Sequence, residues 1–235
     1  MSILLEIKNL VKDFNIYQLH KEIRALKNVD LKLEEGKFIG ITGRSGSGKS
    51  TILKCIYGTY LPQQGEIFYD SNKFGKINLA KASKREIIYL RQYEIGYVSQ
   101  FLKSMPRVKA SELVEEALIE MGSEKSYAKE EAMKILSHFE IDKALWDSYP
   151  NTFSGGEKLR LNIARAMVKK PRLLLLDEPT ASLDQGSKEK VKELIIQLKA
   201  QGTTMLGIFH DLDFMKGVCD QELQMKDGML STMKG

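Results

Sequence analysis

A glycine-rich turn set between an apolar stretch and a helical pattern constrains this chain more than any other feature. Phe38-Ile39-Gly40-Ile41 reads as a buried strand, and a helical run covers 50–57. Between them lies Gly43-Arg44-Ser45-Gly46-Ser47-Gly48-Lys49-Ser50-Thr51, a full match to G-x-x-x-x-G-K-[ST]. Glycines let the backbone turn tightly and point successive N–H groups inward, which makes a nest for phosphate oxygens. The helix that starts here adds its unsatisfied N–H groups and the positive end of its dipole. On this chemistry Lys49 reaches the β- and γ-phosphates of a nucleotide, and the Ser50 hydroxyl ligates Mg²⁺.

The second half of the chain supplies acidic partners for such a loop. Leu173-Leu174-Leu175-Leu176 runs directly into Asp177-Glu178. A short unbroken apolar run suits a central parallel strand covered on both faces. Its two carboxylates then stand at the C-terminal end of the strand, where open α/β sheets bind ligands. Asp177 is expected to hold Mg²⁺ through water or Ser50. Glu178 is expected to act as general base on the attacking water.

Three further pieces follow in order. Gln100 follows the strand Ile95-Gly96-Tyr97-Val98-Ser99. Phe153-Ser154-Gly155-Gly156-Glu157 precedes a helical pattern over 158–169, a second glycine-rich helix start able to receive phosphate. His210 follows a strand over 203–209. Singly these are an ordinary loop glutamine, a turn and a strand-end histidine. Together, in this order and spacing, they resemble the nucleotide-binding domain of the ATP-binding cassette (ABC) family, over about residues 4–229.

That resemblance implies an α/β fold of the P-loop NTPase type. It would have a mixed central sheet, an antiparallel β subdomain and a helical subdomain inserted at about 101–152, all in a single domain over 1–235. It implies ATP and Mg²⁺ as cofactors and ATP hydrolysis as the activity. Gly43, Arg44, Ser45, Gly46, Ser47, Gly48, Lys49, Ser50 and Thr51 form the Walker A loop. Asp177 and Glu178 end the Walker B strand, and Gln100 is the glutamine that touches Mg²⁺ and senses the γ-phosphate. Ser154, Gly155, Gly156 and Glu157 form the family signature, here FSGGE where LSGGQ is commoner. Ser182-Leu183-Asp184 is the D-loop, and His210 is the switch histidine that donates to the γ-phosphate. Phe14 resembles the aromatic that stacks on adenine, with Tyr17 as the competing choice because the segment 15–23 is lengthened. The signature closes over nucleotide bound by another chain, which implies head-to-tail dimers with itself or with a sister ATPase.

Composition narrows the remaining classes. The formal charge is 36 − 31 = +5, spread along the chain with modest clusters over 73–91 and at Lys169-Lys170. That excess reads as a solvated basic surface and not as a nucleic-acid interface. Cys55 and Cys219 lie far apart without metal-ligand spacing, as in a reducing, cytoplasmic setting, and Cys55 is expected in the core. His20, His138 and His210 do not cluster. No stretch reaches the ~18 apolar residues of a membrane span, so a transport role would need another polypeptide as the pore.

Strands are expected over 4–8, 29–33 and 66–69, helices over 111–121 and 128–139, and a final hairpin at Asp227-Gly228. Val191, Leu194, Ile195 and Leu198 mark an amphipathic helix closed by Gly202. Within the family, several details resemble the second ATP-binding subunit of the bacterial carbon–phosphorus lyase system. These are Phe101-Leu102-Lys103-Ser104-Met105-Pro106-Arg107-Val108, Ser148-Tyr149-Pro150-Asn151-Thr152 and Gly207-Ile208-Phe209-His210-Asp211, together with DEPTASLD over 177–184. That likeness implies soluble lyase-core proteins as partners. The alternative is the ATPase of a lipoprotein- or macrolide-releasing exporter, peripheral to the inner membrane and paired with a permease. Regulators that clamp nucleic acid usually carry two cassettes in one chain, unlike this one.

Overall fold

The computed structural model describes residues 2–16, 21–99, 107–181 and 183–232. The chain begins with β1 (Ile3–Ile16), β2 (Lys21–Glu34) and β3 (Phe38–Thr42), then α1 (Lys49–Ile56), β4 (Gln64–Ser71) and β5 (Gly75–Asn78). Next come α2 (Lys84–Tyr93), β6 (Ile95–Ser99), α3 (Ala110–Ile119), α4 (Lys125–His138) and α5 (Lys143–Trp146). The last third holds α6 (Gly155–Met167), β7 (Leu173–Asp177), α7 (Gln185–Ala200), β8 (Thr204–Ile208), α8 (Leu212–Lys216), β9 (Gln221–Lys226) and β10 (Met229–Thr232).

These strands make two sheets. One is antiparallel, in the order β2-β1-β4-β5; the other runs β10-β9-β3-β8-β7-β6. In the second, β9, β3, β8, β7 and β6 are parallel and β10 folds back antiparallel on β9. The expected mixed central sheet and antiparallel sheet are both present.

Side chains alternate across a strand, so a strand covered on both faces must feed two cores. Here it does. Leu173 and Leu175 of β7 enter a core with α1 and the antiparallel sheet, built from residues such as Leu5, Val29, Ile52 and Ile67. Leu174 and Leu176 enter the opposite core, with Leu113 and Val114 of α3, Leu136 of α4, Leu161 of α6 and Val191 of α7. Strands β3 and β8 split the same way, Ile39, Ile41, Leu206 and Ile208 to the first core and Phe38 and Met205 to the second. Arg172, just before β7, clasps the two sheets by donating to the Asp70 carbonyl and pairing with Glu35 at 2.7 Å.

Two expectations need correction, and two elements are additional to them. The strands expected over 4–8 and 29–33 are the start of β1 and the end of β2, the paired open end of a much longer hairpin. Its register shifts between Ile7 and Leu10 and again at Lys12, while Asn9 (φ 49°) and Asn28 (φ 52°) adopt left-handed backbone. Such bulges break the alternation by which a strand is read from sequence. The helix expected over 158–169 begins earlier, at Gly155, because Ser154 caps it. Helix α2 and strand β5 were not expected at all. Leu90 is the one buried residue of α2, so its apolar stripe is too weak to read, although Ser83 and Glu86 form a capping box at its start.

If both faces of β7 are buried, Leu174→Ala and Leu175→Ala each lower the unfolding free energy by about 2–5 kcal/mol in urea denaturation. A strand with one solvent face would leave one of the two substitutions near neutral.

Candidate active site

The turn after β3 is forced into shape by its neighbours. Gly48 has φ 107°, and a Cβ there would come 2.3 Å from the Ala25 carbonyl oxygen of β2. The β1–β2 hairpin thus lies directly against the turn, and no other residue fits at this position. Arg44, Ser45 and Gly46 form its exposed rim, and Thr51 donates its N–H to the Gly48 carbonyl at 3.1 Å as α1 begins. Lys49 is buried, 4% exposed, and its Nζ donates to the Gly43 (2.8 Å) and Arg44 (3.1 Å) carbonyls. Burial pulls its pKa down, while Glu178 and then Asp177 oppose that. Ser47 Oγ is buried in the turn and has no hydrogen-bond partner among the described residues. A buried hydroxyl with an unused donor, beside a buried ammonium, fits phosphate oxygens.

The acids at the end of β7 face this turn. Ser50 Oγ donates to Asp177 Oδ1 at 2.9 Å, and the Tyr97 hydroxyl donates to Asp177 Oδ2 at 2.6 Å. Ser50 and Asp177 present paired hard oxygen donors, the chemistry that suits Mg²⁺. Glu178 sits in left-handed backbone (φ 53°), which costs a non-glycine residue about 1–2 kcal/mol. Its N–H donates to the Ile208 carbonyl of β8 at 3.2 Å, which holds the turn in place. Glu178 Oε1 lies 2.7 Å from His210 Nε2 and 4.0 Å from Lys49 Nζ. Lys49, Ser50, Asp177, Glu178 and His210 therefore meet at the C-terminal ends of β3, β7 and β8. Gln100 and Ser182 lie outside the described residues; Asn162 of α6 donates to the Ser99 carbonyl at 3.0 Å, just before Gln100.

The second glycine-rich helix start is the N-terminus of α6. Ser154 and Gly155 are exposed at the tip of α6. Ser154 Oγ accepts from the Glu157 N–H at 3.3 Å, and Glu157 Oε2 accepts from the Ser154 N–H at 2.7 Å. Glu157 therefore belongs to a capping box, a role that glutamine fills equally well. A Cβ on Gly156 would lie 2.9 Å from Ser187 Oγ of α7. Asp184 in turn caps α7 through the Ser187 N–H (2.9 Å) and hydroxyl (2.8 Å), which hold its carboxyl below the usual range. Gly156 and Asp184 thus both abut Ser187. Phe14 is half-buried in the hairpin, edge-on to Tyr60 at 5.1 Å, with Lys12 Nζ 5.0 Å from its ring; Tyr17 lies outside the described residues.

Tyr97 escaped the sequence reading. Its signal was a hydroxyl-bearing ring in an otherwise apolar strand, two residues short of the partner of Asp177 in the β6–β7 register.

Comparison with known proteins decides the family. A model described as ABC transporter matches residues 26–181, well over half of the chain. The chain belongs to the ABC transporter family. It is 35% identical over 240 residues to the lipoprotein-releasing system ATP-binding protein LolD of Buchnera aphidicola, covering 99% of this chain and 98% of that protein. It is 34% identical over 230 residues to the L-cystine import ATP-binding protein TcyC of Bacillus subtilis, covering 97% and 88%. A solved dimer of the cassette MJ0796 in a post-hydrolysis state, bound to ADP and Pi, superposes with a TM-score of 0.87 at 31% identity, over 99% of this chain and 100% of that one. This ABC cassette is an ATPase, and its fold binds ATP. These relatives carry no phosphonate name, so they lend the expected carbon–phosphorus lyase assignment and its lyase-core partners no support. No helix among the described residues is long and apolar enough to cross a membrane.

Because Glu157 acts as a capping residue, Glu157→Ala should cost about 1 kcal/mol of stability by thermal or urea unfolding. Glu157→Gln should stay within about 0.5 kcal/mol of the parent.

Proposed function

We propose that this chain is the ATPase subunit of an exporter of the lipoprotein-release type, working on ATP with Mg²⁺ as a dimer. The observation that carries the chemistry is the convergence of Lys49, Ser50, Asp177, Glu178 and His210 at the ends of three adjacent parallel strands. The turn around Gly43, Arg44, Ser45, Gly46, Ser47, Gly48 and Thr51 cradles the phosphates, and Lys49 neutralises the β- and γ-oxygens. Ser50 and Asp177 hold the Mg²⁺, with Gln100 as a further ligand. When bound, that ion would supply charge neutralisation to the phosphates. Glu178 aligns the attacking water and accepts its proton, and His210, 2.7 Å from that carboxylate, is the switch histidine that donates to the γ-phosphate. Phe14 stacks on the adenine.

Ser154 and Gly155 are exposed, which suits a signature that serves a neighbour's nucleotide. The dimeric state of the MJ0796 cassette supports that arrangement. The exporter reading rests on three relatives from three organisms that share the lipoprotein-releasing name. Transport through a membrane then requires a separate permease on which this subunit docks, from the cytoplasmic side.

Glu178→Gln should keep ATP binding, lose about 10²–10⁴-fold in kcat, and shift to a dimer in gel filtration when ATP is added. Unchanged turnover removes Glu178 from the role. Tagged Glu178→Gln protein isolated with ATP from its own cells should carry membrane permease subunits, identified by mass spectrometry. Soluble phosphonate-lyase subunits in their place would overturn the exporter reading and leave the site roles standing.

A further inference from the structure

The carboxylate of Asp177 has both oxygens engaged, one by the Ser50 hydroxyl and the other by the Tyr97 hydroxyl. Ser50 belongs to the phosphate loop, whereas Tyr97 comes from β6, on the far side of β7. A phenol has one proton to give, and a carboxylate is an acceptor, so the direction of the 2.6 Å bond is fixed.

The ring that carries this hydroxyl is held independently of it. Tyr97 packs on Tyr57 with centroids 4.9 Å apart. Tyr57 is in turn covered by the Arg91 guanidinium, 4.5 Å from its ring, and Arg91 Nε donates to the Tyr57 carbonyl at 2.7 Å. The register places Tyr97 opposite Leu175 and Ser99 opposite Asp177, so Tyr97 shares a strand face with the side of β7 that bears Asp177. A shorter residue there would not reach. Phenylalanine would fill the same packing and leave the second carboxylate oxygen without its protein partner.

We infer that Tyr97 is a positioning residue for the metal: its hydroxyl, held by the Tyr57–Arg91 stack, sets the carboxylate of Asp177 in the orientation that receives Mg²⁺. The inference rests on the reading of Ser50 and Asp177 as the Mg²⁺ site. Hydrogen-bond partners of metal ligands govern affinity because they restrict the ligand to its binding orientation before the ion arrives.

The test compares Glu178→Gln protein with the Glu178→Gln, Tyr97→Phe double variant, both as full chains. Mn²⁺ binding in saturating ATP is followed by electron paramagnetic resonance, and binding of a fluorescent ATP analogue is measured in EDTA. The expected result is a metal dissociation constant raised about tenfold in the double variant, with metal-free nucleotide affinity unchanged. In the Tyr97→Phe single variant, the Mg²⁺ concentration that half-activates hydrolysis should rise by a similar factor, with kcat at saturating Mg²⁺ within about threefold of the parent. Coincident metal titrations would overturn the inference. So would a matching loss of nucleotide binding in EDTA, since the hydroxyl would then serve the fold at large. Failure of Glu178→Gln itself to bind Mn²⁺ with ATP would instead sink the Ser50–Asp177 metal site.

Discussion

Strand β7 has no solvent face, and the placement of every acidic group in the site follows from that. Four leucines in succession do not by themselves define a register, since sliding by one residue exchanges one leucine for another. The ends of the strand do. A one-residue slip toward the core would draw the Asp177 carboxylate into the place of Leu176, at a desolvation cost of several kcal/mol for an unpaired charge. At the other end Arg172 is tied to Asp70 and Glu35 and cannot follow. The run is thus pinned between a cation and an anion, with apolar surface filling both cores between them.

Charge is concentrated where that strand ends. Lys49 is buried but is not left to the carboxylates alone, because two backbone carbonyls accept from its ammonium. Asp177 is met by two hydroxyls, and Glu178 by a histidine. Each charged group therefore has a polar partner that holds it in place, and preorganised charges act strongly on a phosphate. The left-handed backbone at Glu178 fits this picture. It costs conformational energy locally, and the hydrogen bond to Ile208 together with the His210 contact offsets it.

Much of this was legible without coordinates. The glycine-lysine turn, the leucine run with its acids, and the histidine after β8 were each placed on the right element, because each coincides with a change of period from apolar strand to turn or helix. The start of α6 was placed three residues late, although Ser154 and Glu157 carried the capping-box spacing in plain view. The long β1–β2 hairpin was cut short because two asparagines in left-handed backbone shift its register. Helix α2 was missed because it lies on the surface and buries a single leucine.

What the chain's sequence determined by itself is local chemistry: which turn can hold phosphate, which strand is buried on both faces, which acids follow it, and which helix starts carry a cap. These depend on neighbours within a few residues, whose spacing is visible in one dimension. Tertiary structure alone decided how Tyr97 meets Asp177, how Ala25 presses on Gly48, and how Gly156 comes against Ser187. Those contacts join residues from different elements. Strand order and register set them, and no periodicity in the chain encodes a distance between side chains on separate strands.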